Sequence, residues 1–350
     1  MATKFSAPSL VTSVLALRTA QRPRVYPSAV PNTSGPRHDR KPYQCLLSRT
    51  SSTTASPCLR DFMDHDVRRT SAAGPAATNG ASVTNHADLA TLLFSEPSEL
   101  TQVPSFAWGF GGLHGGIALS LAAARMAASV PDHSLRSVVG QFHRPIRETF
   151  ALESHVIRSG RSAGAAQATA TDTQGVCLTA TAVLGSNQAG SVPAWAPAAR
   201  GVPLPNSLAS VQGLEKHSAV LGQVDLRPVG SIDVHVGSSE RTMTAWVRIL
   251  GSDEPVSPSA VIFFLDVLPP SYARVLTRAS ARPVPTVELA AHLAPHRAAS
   301  PWVLVRSHTV SAEASGWVTE MVHAWDIDGV HLGSAQQLRL AVSHPEPGRA

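Results

Sequence analysis

Asp172-Thr173-Gln174-Gly175-Val176-Cys177-Leu178 returns 154 residues later as Asp326-Ile327-Asp328-Gly329-Val330-His331-Leu332. Both stretches read D-x-x-G-V-x-L, an acid and a glycine framing a tight turn that leads into a strand. A strand end carrying His and Pro precedes each turn, at His143 and Pro145 and again at His292 and Pro295, so the prolines recur at an offset of 150. Two unlike features repeating at nearly one offset point to an internal duplication.

The flanking sequence fills in both copies. Ala163 to Thr171 and Val176 to Leu184 are the arms of the first hairpin, with further strand-like stretches at Leu135 to Phe142 and Phe150 to Ile157. Ahead of them Leu113, Ile117, Leu121, Ala124 and Ala128 fall on one helical face, and Pro131 stops that helix. A short amphipathic helix at 87–94 opens the region. In the second copy a strand from Arg241 to Leu250 precedes a helix, Ser257 to Leu268, that Pro269-Pro270 ends. Strands follow at Thr286 to Leu293, Trp302 to Ser311, Gly316 to Trp325 and Val330 to Val342. Helix and sheet each carry an apolar face, and a sheet wrapped around its helix buries both. One such unit leaves an open edge strand, which a second unit closes. The expected fold class is therefore α+β, a double hotdog. Its expected organisation is a disordered basic segment at 1–83, an N-terminal hotdog at 84–190, a Pro/Gly/Ser-rich linker at 191–213 and a C-terminal hotdog at 214–345.

Charge is distributed unevenly. Residues 1–83 hold 11 of the 29 Lys and Arg and four of the 24 Asp and Glu, leaving 18 bases against 20 acids in the rest. The pI near 9.6 thus belongs to the leading segment, and the folded part offers no basic face to track phosphates. Rich in Ser, Thr, Pro, Arg and Ala, that segment cannot bury enough apolar surface to offset its ordering entropy. Ser9 to Arg22 could form a basic amphipathic helix like a mitochondrial transit peptide; the preferred alternative is an over-long gene model with its true start at Met63. The expected location is cytoplasmic, or the mitochondrial matrix if residues 1–40 are a genuine transit peptide. No stretch is long and apolar enough to span a membrane. Cys45, Cys58 and Cys177 lack metal-ligand spacing, and no metal is expected.

Three motifs carry a family resemblance: Phe110-Gly111-Gly112 with Gly116, Phe142-His143-Arg144-Pro145, and Arg158-Ser159-Gly160-Arg161-Ser162, in that order. In the second half Asp266, Thr286 and Gln337 complete the set. Over residues 85–343 or so the chain resembles the acyl-CoA thioesterase II family of tandem hotdogs. The resemblance implies hydrolysis of an acyl-CoA thioester by water, with no covalent intermediate. Asp266 would activate the water as general base, while Thr286 and Gln337 would hold that water and polarise the carbonyl. Gly111, Gly112 and Gly116 are candidate substrate-binding positions, since a Gly-rich helix entry lets an acyl group approach backbone N–H groups. No cofactor is expected, CoA entering as part of the substrate. The expected partner is a small-molecule acyl-CoA, with no nucleic acid, and a homo-oligomer stays open.

Each of these residues also has an ordinary structural reading. Asp266, within Val261 to Leu268, could be the solvent-facing position of a short helix. Thr286 is an ordinary strand-start residue, and Gln337 could lie on a strand surface, since alternation sends only one of Gln336 and Gln337 inward. The glycines, Gly115 included, could serve only close helix–sheet packing. His143 and His292 are read as structural, and His114 is left out of the site because the family requires no histidine there. The second half lacks the His-Arg-Pro ending, reading Leu293-Ala294-Pro295. Two other functions fit the fold: a non-catalytic acyl-CoA or acyl-carrier binding protein, and a hotdog enoyl-CoA hydratase.

Overall fold

A computed structural model describes residues 87–96, 98–186, 194–295 and 297–342. Residues 1–83, expected to be disordered, lie outside the described residues.

In the first half, the Asp88 carboxylate accepts from Thr91 N at 2.7 Å and caps α1 (Leu89–Phe94). After the two-residue strand β1 (Leu100–Thr101) comes α2 (Gly115–Ala128), followed by β2 (Ser134–Phe142), β3 (Phe150–Ser159), β4 (Ala163–Asp172) and β5 (Gly175–Gly185). Gly164, Ala166, Ala168 and Ala170 alternate inward along β4, so the sheet presents a shallow face on which α2 lies close. At Gly140 that approach is extreme: a Cβ there would stand 2.6 Å from Leu119 Cδ1 of the helix.

The second half contains β6 (Val224–Pro228), β7 (Thr242–Ile249), α3 (Pro258–Phe264), β8 (Thr286–Leu293), β9 (Val303–Ala312), β10 (Trp317–Trp325) and β11 (His331–Leu340). Ser257 Oγ accepts from Ala260 N at the start of α3, and Pro258 occupies its first turn. This helix is shorter than the sequence suggests. Leu265 caps it and Asp266 N turns back to Phe263 O, so the helix ends before the Pro269-Pro270 pair. β1 and β6 were not expected; each is brief, and β6 ends on a proline that cannot donate to the ladder.

All described strands join one antiparallel sheet in the order β1-β3-β4-β5-β2-β8-β11-β10-β9-β7-β6. The halves meet where β2 pairs β8, from Ser137↔His292 to Gln141↔Glu288, so each unit closes the other's inner edge. The two repeated turns share one device. Asp172 Oδ1 accepts from Gln174 N, and Asp326 Oδ1 accepts from Asp328 N and Val330 N. The glycines that follow, Gly175 and Gly329, take φ of 116° and 77°. Arg144 also clamps the first turn by bonding Asp172 and the carbonyls of Gly175 and Val176. Residues 194–208 run along the outer face of the second half, where Ala199, Val202 and Leu208 pack on Trp246, Trp302, Leu304 and Trp325. Among the described residues no helix is long and apolar enough to cross a membrane.

Candidate active site

The two helices meet end to side. The start of α2 lies against α3 so closely that a Cβ on Gly116 would stand 3.2 Å from Phe263 Cα and 2.9 Å from Asp266 Cβ. This contact delivers Asp266, just beyond α3, to the N-terminus of α2. Its carboxylate is not the solvent-facing residue that periodicity alone allows: Asp266 is 8% exposed. Oδ2 accepts from Gly116 N at 2.8 Å, while Oδ1 accepts from Gln337 Nε2 at 2.8 Å and Thr286 Oγ1 at 3.2 Å. The helix end adds its positive partial charge to these bonds.

Thr286 opens β8 and Gln337 lies inward on β11, next to an exposed Gln336. The structure thus brings Asp266, Thr286 and Gln337 together from three elements. Gln337 uses its whole amide within the protein. Nε2 also donates to Leu265 O at 3.0 Å, and Oε1 accepts from Arg339 Nε at 3.1 Å and from Arg339 Nη2. With both amide hydrogens and the oxygen engaged, Gln337 holds the carboxylate, and has no hydrogen left for a water.

A cavity of about 310 Å³ opens on Asp266 and Thr286. Apolar side chains dominate its walls, among them Phe110, Leu113, Phe142, Ile146, Leu221 and Leu268, with His114, Gly115 and Arg339 near the carboxylate. The candidate glycines separate here. Gly116 bonds Asp266, Gly112 lines the cavity with Ile146 O packed where its Cβ would be, and Gly111 is a turn residue of φ 87° outside the lining. Gly115, at the first position of α2, does line it.

Two residues near Asp266 stand outside the site residues expected from the sequence: His114, which was set aside there, and Arg339, which was missed. His114 Nδ1 stands 3.8 Å from Asp266 Oδ2, buried and with no hydrogen-bond partner. Burial pushes this imidazole below the ordinary histidine value, with the Asp266 charge opposing and the Arg339 charge assisting. Arg339 Nη2 is 3.6 Å from Asp266 Oδ1. The inward period of β11, which Arg339 shares with Gln337, was the available signal for it. For His114 the signal was its position at the mouth of a Gly-rich helix entry.

A carboxylate from one hotdog, seated on the helix N-terminus of another and facing an apolar cavity, defines a tandem-hotdog protein with one site shared between its halves. Residues 105–185 match the acyl-CoA thioesterase N-terminal domain and residues 198–341 the acyl-CoA thioesterase C-terminal domain. The chain belongs to this acyl-CoA thioesterase family. No curated protein matches it significantly. Among solved structures it is similar to a conserved protein of unknown function with hot dog fold from Alicyclobacillus acidocaldarius. That pair has 20% identity and a TM-score of 0.61, over 70% of this chain and 93% of that one. It is also similar to the tesB protein of Mycobacterium avium subs paratuberculosis (18% identity, TM-score 0.58, 73% of this chain and 98% of that one). A third is the acyl-CoA thioesterase II TesB2 of Mycobacterium marinum (18% identity, TM-score 0.55, 69% and 93%). At such identities these likenesses speak for the fold alone.

Proposed function

We propose that the protein hydrolyses acyl-CoA thioesters to free CoA and a carboxylic acid, with Asp266 as general base. The observation that carries this reading is the Asp266 carboxylate, fixed at both oxygens by donors from both halves and open to an apolar cavity. A thioester needs little more than one oriented water and a charge-stabilising donor. The acyl chain lies along the apolar walls. A water bonded to Asp266 Oδ2 attacks the carbonyl carbon as its proton passes to the carboxylate. The oxyanion draws on the backbone N–H at the head of α2, where Gly115 lines the cavity. When the C–S bond breaks, Asp266 returns the proton to the CoA sulfur, so atoms and charge balance. Thr286 and Gln337 act as donors that aim the carboxylate.

One observation favours a second reading. His114 and Asp266, one from each half, face each other in the cavity as an acid–base pair, the arrangement that adding water across a 2-enoyl-CoA double bond requires. A thiol-release assay across saturated acyl-CoA chain lengths, run beside loss of enoyl absorbance with 2-enoyl-CoA, separates the two. Hydrolysis predicts thiol release by the wild type and its near abolition in Asp266→Asn, which keeps the fold. Enoyl loss without thiol release would establish hydration instead, and binding without either reaction would leave an acyl-CoA carrier.

A further inference from the structure

Arg339 is a buried cation (6% exposed) and Glu320 a fully buried anion (0%). Burying such charges is expensive, and a buried pair is often replaceable by apolar residues with no loss of stability. The geometry around this pair joins it to Asp266. Thr309, Glu320 and Gln337 sit side by side on β9, β10 and β11, in the registers Glu320↔Thr309 and Glu320↔Gln337. Glu320 Oε1 accepts from Ser271 Oγ at 2.6 Å, Tyr272 N at 2.9 Å and Thr309 Oγ1 at 3.3 Å, which locks that carboxylate in place. Its Oε2 lies 2.7 Å from Arg339 Nε. The guanidinium in turn bonds Gln337 Oε1 and, weakly, Val284 O.

An amide side chain has nearly the same shape when flipped, so packing alone does not choose which end faces Asp266. A cation on one side chooses. Arg339 can bond only the oxygen of Gln337, which sends Nε2 toward Asp266 and Leu265 O. The same cation is 3.6 Å from Asp266 Oδ1, close enough to close onto the carboxylate and occupy it if nothing else held it. Glu320 holds it. We propose that Arg339, tethered by Glu320, is a positioning residue that fixes the Gln337 amide as a donor to Asp266 while standing off at 3.6 Å from the carboxylate, in ion-pair range but with no hydrogen bond to it. This rests on the hydrolytic reading above for its catalytic consequence, though not for the arrangement it describes.

The test uses the full chain and four forms: wild type, Arg339→Met, Glu320→Gln and the double variant Arg339→Met/Glu320→Gln, in which the amide oxygen still accepts from Ser271, Tyr272 and Thr309. The first readout needs no turnover. The Gln337 side-chain amide protons, followed by NMR, are slow to exchange in the wild type and at least about tenfold faster in Arg339→Met, as expected when a fixed buried bond is released. The second is acyl-CoA hydrolysis. Both single variants lose at least about tenfold in kcat with KM within about threefold, because the lost interaction acts on the reacting carboxylate and not on substrate binding. The double variant, which leaves neither charge buried without its partner and keeps the acceptor at position 320, recovers the melting temperature but not kcat. Recovery of kcat along with stability would reduce the pair to a structural one and overturn the proposal. So would unchanged Gln337 exchange in a folded Arg339→Met protein. A wild type without thiol release, but with the expected change in exchange, would sink the hydrolytic reading while supporting the positioning role.

Discussion

The backbone N–H of Gly116 and Oδ2 of Asp266 stand 2.8 Å apart across 150 residues of chain, joining the helix of one half to the acid of the other. Neither half holds this site alone. The carboxylate comes from the second unit and the helix end that receives it from the first, so the duplication and the chemistry are one feature of the fold.

That closeness sets the effect of enlarging Gly116. Alanine favours a helix over glycine by up to about 1 kcal/mol. Here, however, its methyl meets Asp266 Cβ at 2.9 Å and Phe263 Cα at 3.2 Å, atoms that cannot swing aside. The clash outweighs the propensity gain. Gly116→Ala should lose about 1–3 kcal/mol in denaturant melts and should also lose turnover, since Asp266 is displaced. At Gly115 the added methyl meets Asp266 Oδ2 at 3.2 Å and the Phe142 ring at 3.3 Å. Gly115→Ala should therefore cost less stability than Gly116→Ala, with a comparable fall in kcat. A Gly116→Ala protein as stable and active as the wild type would show that the helices are not in this contact.

Thr286 donates to the same carboxylate through its hydroxyl at 3.2 Å. Thr286→Val keeps the shape and removes the donor, and a hydrogen bond to a charged group contributes about 1.5–3 kcal/mol. The expected result is a drop in kcat of about tenfold to a hundredfold. Thr286→Ser, which keeps the hydroxyl, should lie within a few-fold of the wild type. Equal kcat in the Val and Ser variants would remove Thr286 from the working site.

How far the site was legible follows from these residues. The repeated Asp-x-x-Gly turns were readable because two positions do all their work locally: the acid caps backbone N–H groups and the glycine takes positive φ. Strand alternation required one of Gln336 and Gln337 to face inward, and the family resemblance, not the alternation, picked Gln337. Asp266 was ambiguous, because local pattern cannot tell a solvent-facing helix residue from one buried against a helix 150 residues away. Arg339 and Glu320 were illegible as a pair: each reads alone as an ordinary charge on a strand, and only the β10–β11 register makes them partners. β6 was hidden by its length and its terminal proline. The packing of residues 194–208 depends on Trp246, Trp302 and Trp325, all far downstream in the chain.

Those tryptophans give a prediction away from the chemistry. Trp246 Nε1 donates to Pro203 O and Trp325 Nε1 to Pro197 O, each at 2.8 Å, pinning the connecting segment to the outer face of the sheet. Trp246→Phe and Trp325→Phe should each cost about 0.5–1.5 kcal/mol, the net contribution of one hydrogen bond. Both should make the segment near 197–203 more susceptible to limited proteolysis, with kcat unchanged. Protease resistance equal to the wild type would mean the apolar packing alone holds it.

The pH dependence of stability follows from His114. Its ordinary value is 6.5, and burial lowers it in the folded protein, with the Asp266 charge opposing and the Arg339 charge reinforcing the shift. Above 6.5 the imidazole is neutral in both states and its contribution to stability is fully present. As the pH falls below 6.5 the unfolded chain takes up a proton that the folded protein refuses, so stability drops through the window between the two values. Burial lowers His217, His235 and His323 in the same way, and they add to the same acid-side slope. Melting temperatures measured from about pH 7.5 down to 5 should therefore fall in the wild type. In His114→Gln, which cannot titrate, the fall should be shallower by the His114 share, while the other three histidines preserve the rest. Parallel curves for the two proteins would mean that His114 is protonated as readily in the folded chain as in the unfolded one, and that it is not sealed beside Asp266.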